Sequence, residues 1–170
     1  MKTRDLTQAL PALFSELVNG SPDPDASTSM LNRGDEGLLR GLHKLSAVEA
    51  STTKAGGATI AAHVDHLRYG LALLNRWAAG ETAPWTNADW TLSWRKRVVT
   101  DGEWKTLCAE LGREAATWQN ALGTPRELNE RELQWTIGSI AHLAYHLGAI
   151  RQIDRVTRGP TAEDELRLSR

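Results

Sequence analysis

The stretch that most constrains the fold runs from Trp135 to Ile153 and reads WTIGSIAHLAYHLGAIRQI. Its two histidines, His142 and His146, are four residues apart, which places both imidazoles on one side of a helix. They belong to a stripe with spacings of 4, 3, 4, 3 and 4, and a second apolar stripe follows another face. The pattern predicts a central, largely buried helix whose histidines face the interior of a helical domain.

Other segments have the same helical spacing of apolar residues. They are residues 4–18, 38–45, 60–79 and 100–123. Thr59 is a candidate N-cap for the segment 60–79. Three further pairs have the spacing of a capping box. These pairs are Ser46 with Glu49, Thr100 with Glu103, and Asn129 with Glu132. The last helix is predicted to begin at Asn129, or nearer Thr136, and to end at Gly159.

The remaining segments are predicted to be loops. Residues 20–33 form a polar loop, and residues 81–100 form a long connection with a helical turn near 88–96. The polar tail over 160–170 is predicted to fray. The sequence has no strand-like alternation and no solenoid repeat. We therefore predict one all-α domain over 1–170, a four-helix bundle with a long loop between its second and third bundle helices.

Composition and motifs exclude several kinds of function. The chain has 20 basic and 21 acidic side chains without a block of like charge, so no nucleic-acid partner is expected. No stretch approaches the length of a membrane span and no signal-peptide pattern is present, so we expect a cytoplasmic protein without a membrane partner. Phosphate-loop, dinucleotide, hydrolase-elbow and CxxC motifs are absent.

Several single residues are expected to have structural roles. Cys108 is the only cysteine and lies in an apolar repeat, so we expect a buried side chain and not a nucleophile. Most of the seven tryptophans are expected to fill the core or to anchor loops. Asp65 and Asp154 are expected to be solvated surface charges, and His43 a surface histidine.

Four of the five histidines lie on the inward stripes of two predicted helices. Three neutral imidazoles leave one position of a divalent ion open, which is usual when the metal is catalytic. His142 and His146 supply two ligands, and either His63 or His66 can supply the third; spacing does not decide between them. The alternative is that these histidines are structural and hydrogen-bonded to backbone carbonyls or buried water.

Two segments resemble the DinB-like superfamily, which includes the YfiT-like metalloenzymes. They read TIAAHVDHLRYGL at 59–71 and IAHLAYHLGAIRQI at 140–153, and the likeness extends loosely over 38–153, including DWTLSW at 89–94. The family consists of four-helix bundles related to bacillithiol transferases and mycothiol-dependent maleylpyruvate isomerase. Its members typically bind a divalent metal, often nickel or zinc, through one histidine of the second bundle helix and an HxxxH pair in the last.

The resemblance also distinguishes between the two candidates for the third ligand. In the family a Ser or Thr usually stands seven residues before the metal histidine, and an apolar residue follows that histidine. Thr59, His66 and Leu67 match this pattern. The resemblance therefore implies a site of His66, His142 and His146, with His63 as an alternative ligand or a hydrogen-bonding neighbour.

The function implied by the resemblance is that of a divalent-metal-dependent enzyme. It would be a thiol-dependent transferase or a hydrolase that uses a low-molecular-weight thiol or water and acts on a small-molecule substrate. The alternative is a non-catalytic, stress-associated or ligand-binding helical bundle with a structural metal or none. A homodimer formed through a face of the bundle is also predicted.

Overall fold

The computed structural model describes residues 3–21, 28–53 and 56–161, and within them the chain is all-helical, without strands. The α-helices are α1 (Thr3–Asn19), α2 (Gly37–His43), α3 (Ala47–Ala50), α4 (Ile60–Ala78), α5 (Asp101–Gly123) and α6 (Glu130–Ile153). Short 3₁₀ turns lie at Leu92–Trp94 and Arg155–Thr157. The all-α prediction is confirmed. The central part of the predicted polar loop, 22–27, and most of the predicted frayed tail, 162–170, lie outside the described residues.

The predicted helix starts are present as side-chain caps. The Thr59 hydroxyl accepts a hydrogen bond from the backbone N–H of Ala62, and all three predicted capping boxes form. The last helix therefore begins after Asn129 and not near Thr136. None of the described helices has the length and apolar character needed to cross a membrane.

The predicted end of the last helix at Gly159 is wrong. The backbone leaves the helical conformation at Asp154, where φ is −132° and ψ is 130°. The Asp154 carboxylate then accepts a hydrogen bond from the backbone N–H of Val156 at 2.8 Å and begins the final 3₁₀ turn. This local side-chain cap competes with continuation of the helix.

The core lies among the four long helices. α4 packs along α5, and α1 contacts both α5 and α6, while α4 also contacts α6. Two tryptophans of α5 are buried and hydrogen-bonded, as expected for core filler: Trp104 Nε1–H donates to the Leu45 carbonyl at 3.0 Å, and Trp118 Nε1–H donates to the Ser139 hydroxyl at 2.9 Å. Both indole donors are thereby satisfied inside the protein.

The prediction that the last helix is largely buried is wrong for one of its faces. Ile137 is 50% exposed and Tyr145 is 70% exposed. The buried side chains of α6 follow a single stripe of Thr136, Ser139, Ile140, Leu143, His146, Leu147 and Ile150. Ile140 and Leu147 of the second apolar stripe are buried, whereas Ile137 of that stripe is exposed, because the helix is covered on one side only.

A close backbone contact joins the end of α1 to the start of α2. Gly20 and Gly37 both have a φ of 75°, and a Cβ placed on Gly37 would lie 2.2 Å from the Gly20 nitrogen. The carboxylate of Asp35 is buried at this corner, where it accepts from the Gly37 N–H at 2.8 Å and from Arg151 of α6 at 2.7 Å. The corner thus fastens the N-terminal part of the chain to α6.

Candidate metal centre

The three histidines implied by the resemblance come together between α4 and α6. Nε2 of His142 lies 3.1 Å from Nε2 of His66 and 2.9 Å from Nε2 of His146. One ring nitrogen from each of the three lies within 4.8 Å of the other two. Imidazole nitrogens that share one zinc ion at about 2.0–2.1 Å are roughly 3 Å apart, so the spacing fits ligation of a single ion.

The tautomer of His66 follows from its hydrogen bonds. Its Nδ1 lies 2.9 Å from the Ser93 hydroxyl, and that hydroxyl donates its own proton to the Trp90 carbonyl at 2.7 Å. The Ser93 oxygen must therefore accept from Nδ1–H of His66. The proton on Nδ1 leaves the Nε2 lone pair directed to the centre, the arrangement that a metal-binding histidine needs.

His63 lies beside the cluster and contacts it through His146. The Nδ1 atoms of the two residues are 2.8 Å apart, on the side of the His146 ring away from the Nε2 cluster. Donation from His146 Nδ1–H to His63 Nδ1 leaves Nε2 of His146 free to bind an ion. Of the two candidates that spacing left open, His66 joins the cluster, and His63 occupies the position of a hydrogen-bonding neighbour.

Burial keeps these histidines neutral. Desolvation, with the neighbouring imidazoles as a smaller cause, lowers the pKa of His66 to about 4 and that of His146 to about 3. Desolvation also lowers the pKa of His63 and His142. His66 and His146 are buried, whereas His142 is exposed although its Nε2 faces the other two histidines. All four rings have lone pairs available near neutral pH.

These shifts predict how the stability of the metal-free protein depends on pH. An unfolded histidine has a pKa of about 6.5, so below that pH the unfolded chain binds more protons than the folded chain. The free energy of unfolding should therefore fall as the pH is lowered from 7 to 5, a window above the ordinary titration of carboxylates. Urea denaturation of chelator-treated protein at both pH values measures it. Equal stability at pH 7 and pH 5 would contradict the assigned shifts.

The connection between α4 and α5 covers the histidines with aromatic rings. Trp94 stacks on His66 with ring centroids 4.3 Å apart and an angle of 24°, and Trp90 lies 5.8 Å from the same imidazole. The Tyr69 hydroxyl of α4 accepts from the backbone N–H of Asp89 at 3.1 Å and holds the connection in place. Trp90 and Trp94 anchor the connection as expected, and they do so by packing against His66 of the histidine cluster.

Other candidate residues take no part in the cluster. Cys108 is buried in α5, and burial raises the pKa of its thiol to about 12, so it is no nucleophile at neutral pH. His43 is exposed on α2, as predicted.

Asp65 is 7% exposed and accepts from Arg68 at 2.8 and 2.9 Å, so its prediction as a solvated surface charge is wrong. The guanidinium three residues later makes this burial tolerable.

Comparison with known proteins adds no relative: no protein-family model, no curated protein and no solved structure matches the chain. The chemistry of the site therefore carries the functional argument. Three neutral imidazole nitrogens from two helices are the donor set that borderline divalent ions such as zinc and nickel prefer.

Proposed function

We propose that the chain is a divalent-metal-dependent enzyme of the DinB-like type, in which His66, His142 and His146 hold nickel or zinc through Nε2. On this proposal α1, α4, α5 and α6 are the helices of a four-helix bundle, and residues 81–100 are the long loop between the second and third. The mutual packing of these helices supports the assignment.

The observation that carries the proposal is the convergence of three Nε2 atoms, in two of whose rings the Nδ1 atom already has another partner. Ser93 holds the Nδ1 proton of His66, and His63 faces Nδ1 of His146. Buried histidines with purely structural roles need only one partner each. Here the second nitrogens face one another across 2.9 and 3.1 Å, which is favourable when a cation lies between them.

Three protein ligands leave room for an exchangeable one, and a bound divalent ion lowers the pKa of a water or thiol there so that it is a nucleophile near neutral pH. The residues of the chain orient and shield this position. Trp94 covers one face of His66 and excludes water from it. Because Cys108 stays protonated, a reacting thiol has to come from a low-molecular-weight cofactor. Thiol transfer or hydrolysis of a small-molecule substrate is the proposed reaction class.

The test first measures the metal content of the protein and then asks whether the bound ion has a coordination position open to an added ligand. Protein expressed with nickel and zinc is expected to contain about one ion per chain by elemental analysis. The nickel form, titrated with 2-mercaptoethanol, is expected to develop a thiolate charge-transfer absorption, since thiolates bind such ions readily. Absence of stoichiometric metal from metal-replete protein would refute the proposal. Bound metal with a spectrum insensitive to thiol and to pH would favour the non-catalytic bundle with a structural ion.

A further inference from the structure

A cavity of about 470 Å³ lies between α4 and α6 and reaches His66 and His142. Its walls are mainly apolar. Leucines of α4 line one side, and Trp85, Trp90 and Trp135 line much of the rest. The volume is in the range of pockets that bind small molecules, which are typically apolar with a few polar groups that fix orientation.

The groups of this cavity that can bind a metal ion are the two histidines. None of the described residues that line it is charged. Ser139 is in the wall, but its hydroxyl already accepts from the Trp118 indole at 2.9 Å and donates to the Thr136 carbonyl at 2.7 Å. Gln134, the remaining polar side chain, is exposed. The metal-binding group of a ligand inside would therefore lie at the histidine end.

We infer that the cavity binds the apolar, aromatic body of a small-molecule substrate whose polar head reaches the three-histidine centre. This rests on the proposed function for the polar end. Sugar hydroxyls or carboxylates placed among Trp85, Trp90 and Trp135 would lose water and find only indole N–H donors, with no acceptor and no charged partner, which is unfavourable. Aromatic rings instead gain apolar contact and ring-edge packing there. The cavity is therefore assigned to the aromatic part of the substrate.

Two glycines of α6 provide a matched pair of variants. Gly138 lines the cavity, and a Cβ placed on it meets nothing within 4 Å, so a leucine there extends into open cavity space. Gly148 is exposed in the same helix, and its Cβ position is equally open. Because both changes replace a helical glycine, their effects on helix propensity are alike. Only Gly138→Leu should fill the cavity.

The probes are two hydroxamates titrated calorimetrically into zinc-loaded protein: acetohydroxamate and 3-phenylpropanohydroxamate. The phenyl compound is expected to bind at least about tenfold more tightly, because its ring is buried in the cavity. Gly138→Leu should remove most of this advantage while the acetohydroxamate affinity and the metal content stay unchanged. Gly148→Leu should behave as the unaltered protein.

Equal affinities of the two hydroxamates, or an advantage that survives Gly138→Leu, would overturn the inference. The metal-free protein separates this outcome from failure of the proposed function. Titrated with 2-naphthol, it is expected to bind the probe unless Gly138→Leu is present. Naphthol binding without metal binding would support the cavity as an aromatic-binding site and refute the proposed metal-dependent enzyme. Metal binding without any preference for the aromatic probe would refute the aromatic-binding site and leave the metal-dependent enzyme supported.

Discussion

His146→Ala is expected to abolish stoichiometric binding of a divalent ion. The substitution removes one of three converging imidazoles and leaves two, His66 and His142, whose Nε2 atoms are 3.1 Å apart. Loss of a hydrogen-bond partner of a ligand usually weakens metal affinity about 10–100-fold, and loss of the ligand itself should exceed the upper end of that range. Competition with a chromophoric chelator measures the affinity, and His66→Ala and His142→Ala should give losses of the same order.

Two other histidine variants complete this test. His43→Ala alters an exposed histidine of α2 and should leave metal affinity unchanged. His63→Ala removes the neighbour that contacts Nδ1 of His146 at 2.8 Å, so a loss of about 10–100-fold is expected. A larger loss for His63→Ala than for His66→Ala would show that His63 is the third ligand. Circular dichroism of each variant checks the fold, since His146 is only 2% exposed.

The helix starts could be predicted from the sequence because capping is local. Ser46, Thr59, Thr100 and Asn129 each bond a backbone N–H a few residues later, and nothing distant is needed to form those bonds. Apolar spacing of 3 and 4 indicated the faces of α4 and α5 for a similar reason. The buried positions of α5 recur at that spacing, whereas residues 60–67 of α4 are buried on every side of the helix.

The details of the site could not be obtained in the same way. His63 and His66 both belong to the buried face of α4, and only the rotation of α4 against α6 decides which ring meets His142. Ser93 and Trp94 come from an irregular connection without a period, so spacing gave no sign that they contact His66. The only indication in the sequence was the DWTLSW segment at 89–94, which belongs to the resemblance and contains both Ser93 and Trp94.

The second large effect is expected at the corner where Asp35 meets Arg151. The Asp35 side chain is 3% exposed and that of Arg151 is 17% exposed, and their ion pair joins the start of α2 to the last turns of α6. Asp35→Ala leaves the guanidinium partly buried without its carboxylate and removes the acceptor of the Gly37 N–H. Breaking one side of a buried pair typically lowers the free energy of unfolding by about 3–5 kcal/mol. Urea denaturation followed by circular dichroism measures the loss.

The adjacent carboxylate offers a matched control. Glu36 pairs with Lys44, but both side chains are more than 40% exposed, so Glu36→Ala should change the free energy of unfolding by about 0–1 kcal/mol. Arg151→Ala and the double variant with Asp35→Ala complete a cycle. The double variant should be less destabilised than the sum of the single ones, because the first substitution already leaves a buried charge unpaired. Additive losses would show that the two groups act independently and that burial alone, not their pairing, fastens this corner to α6.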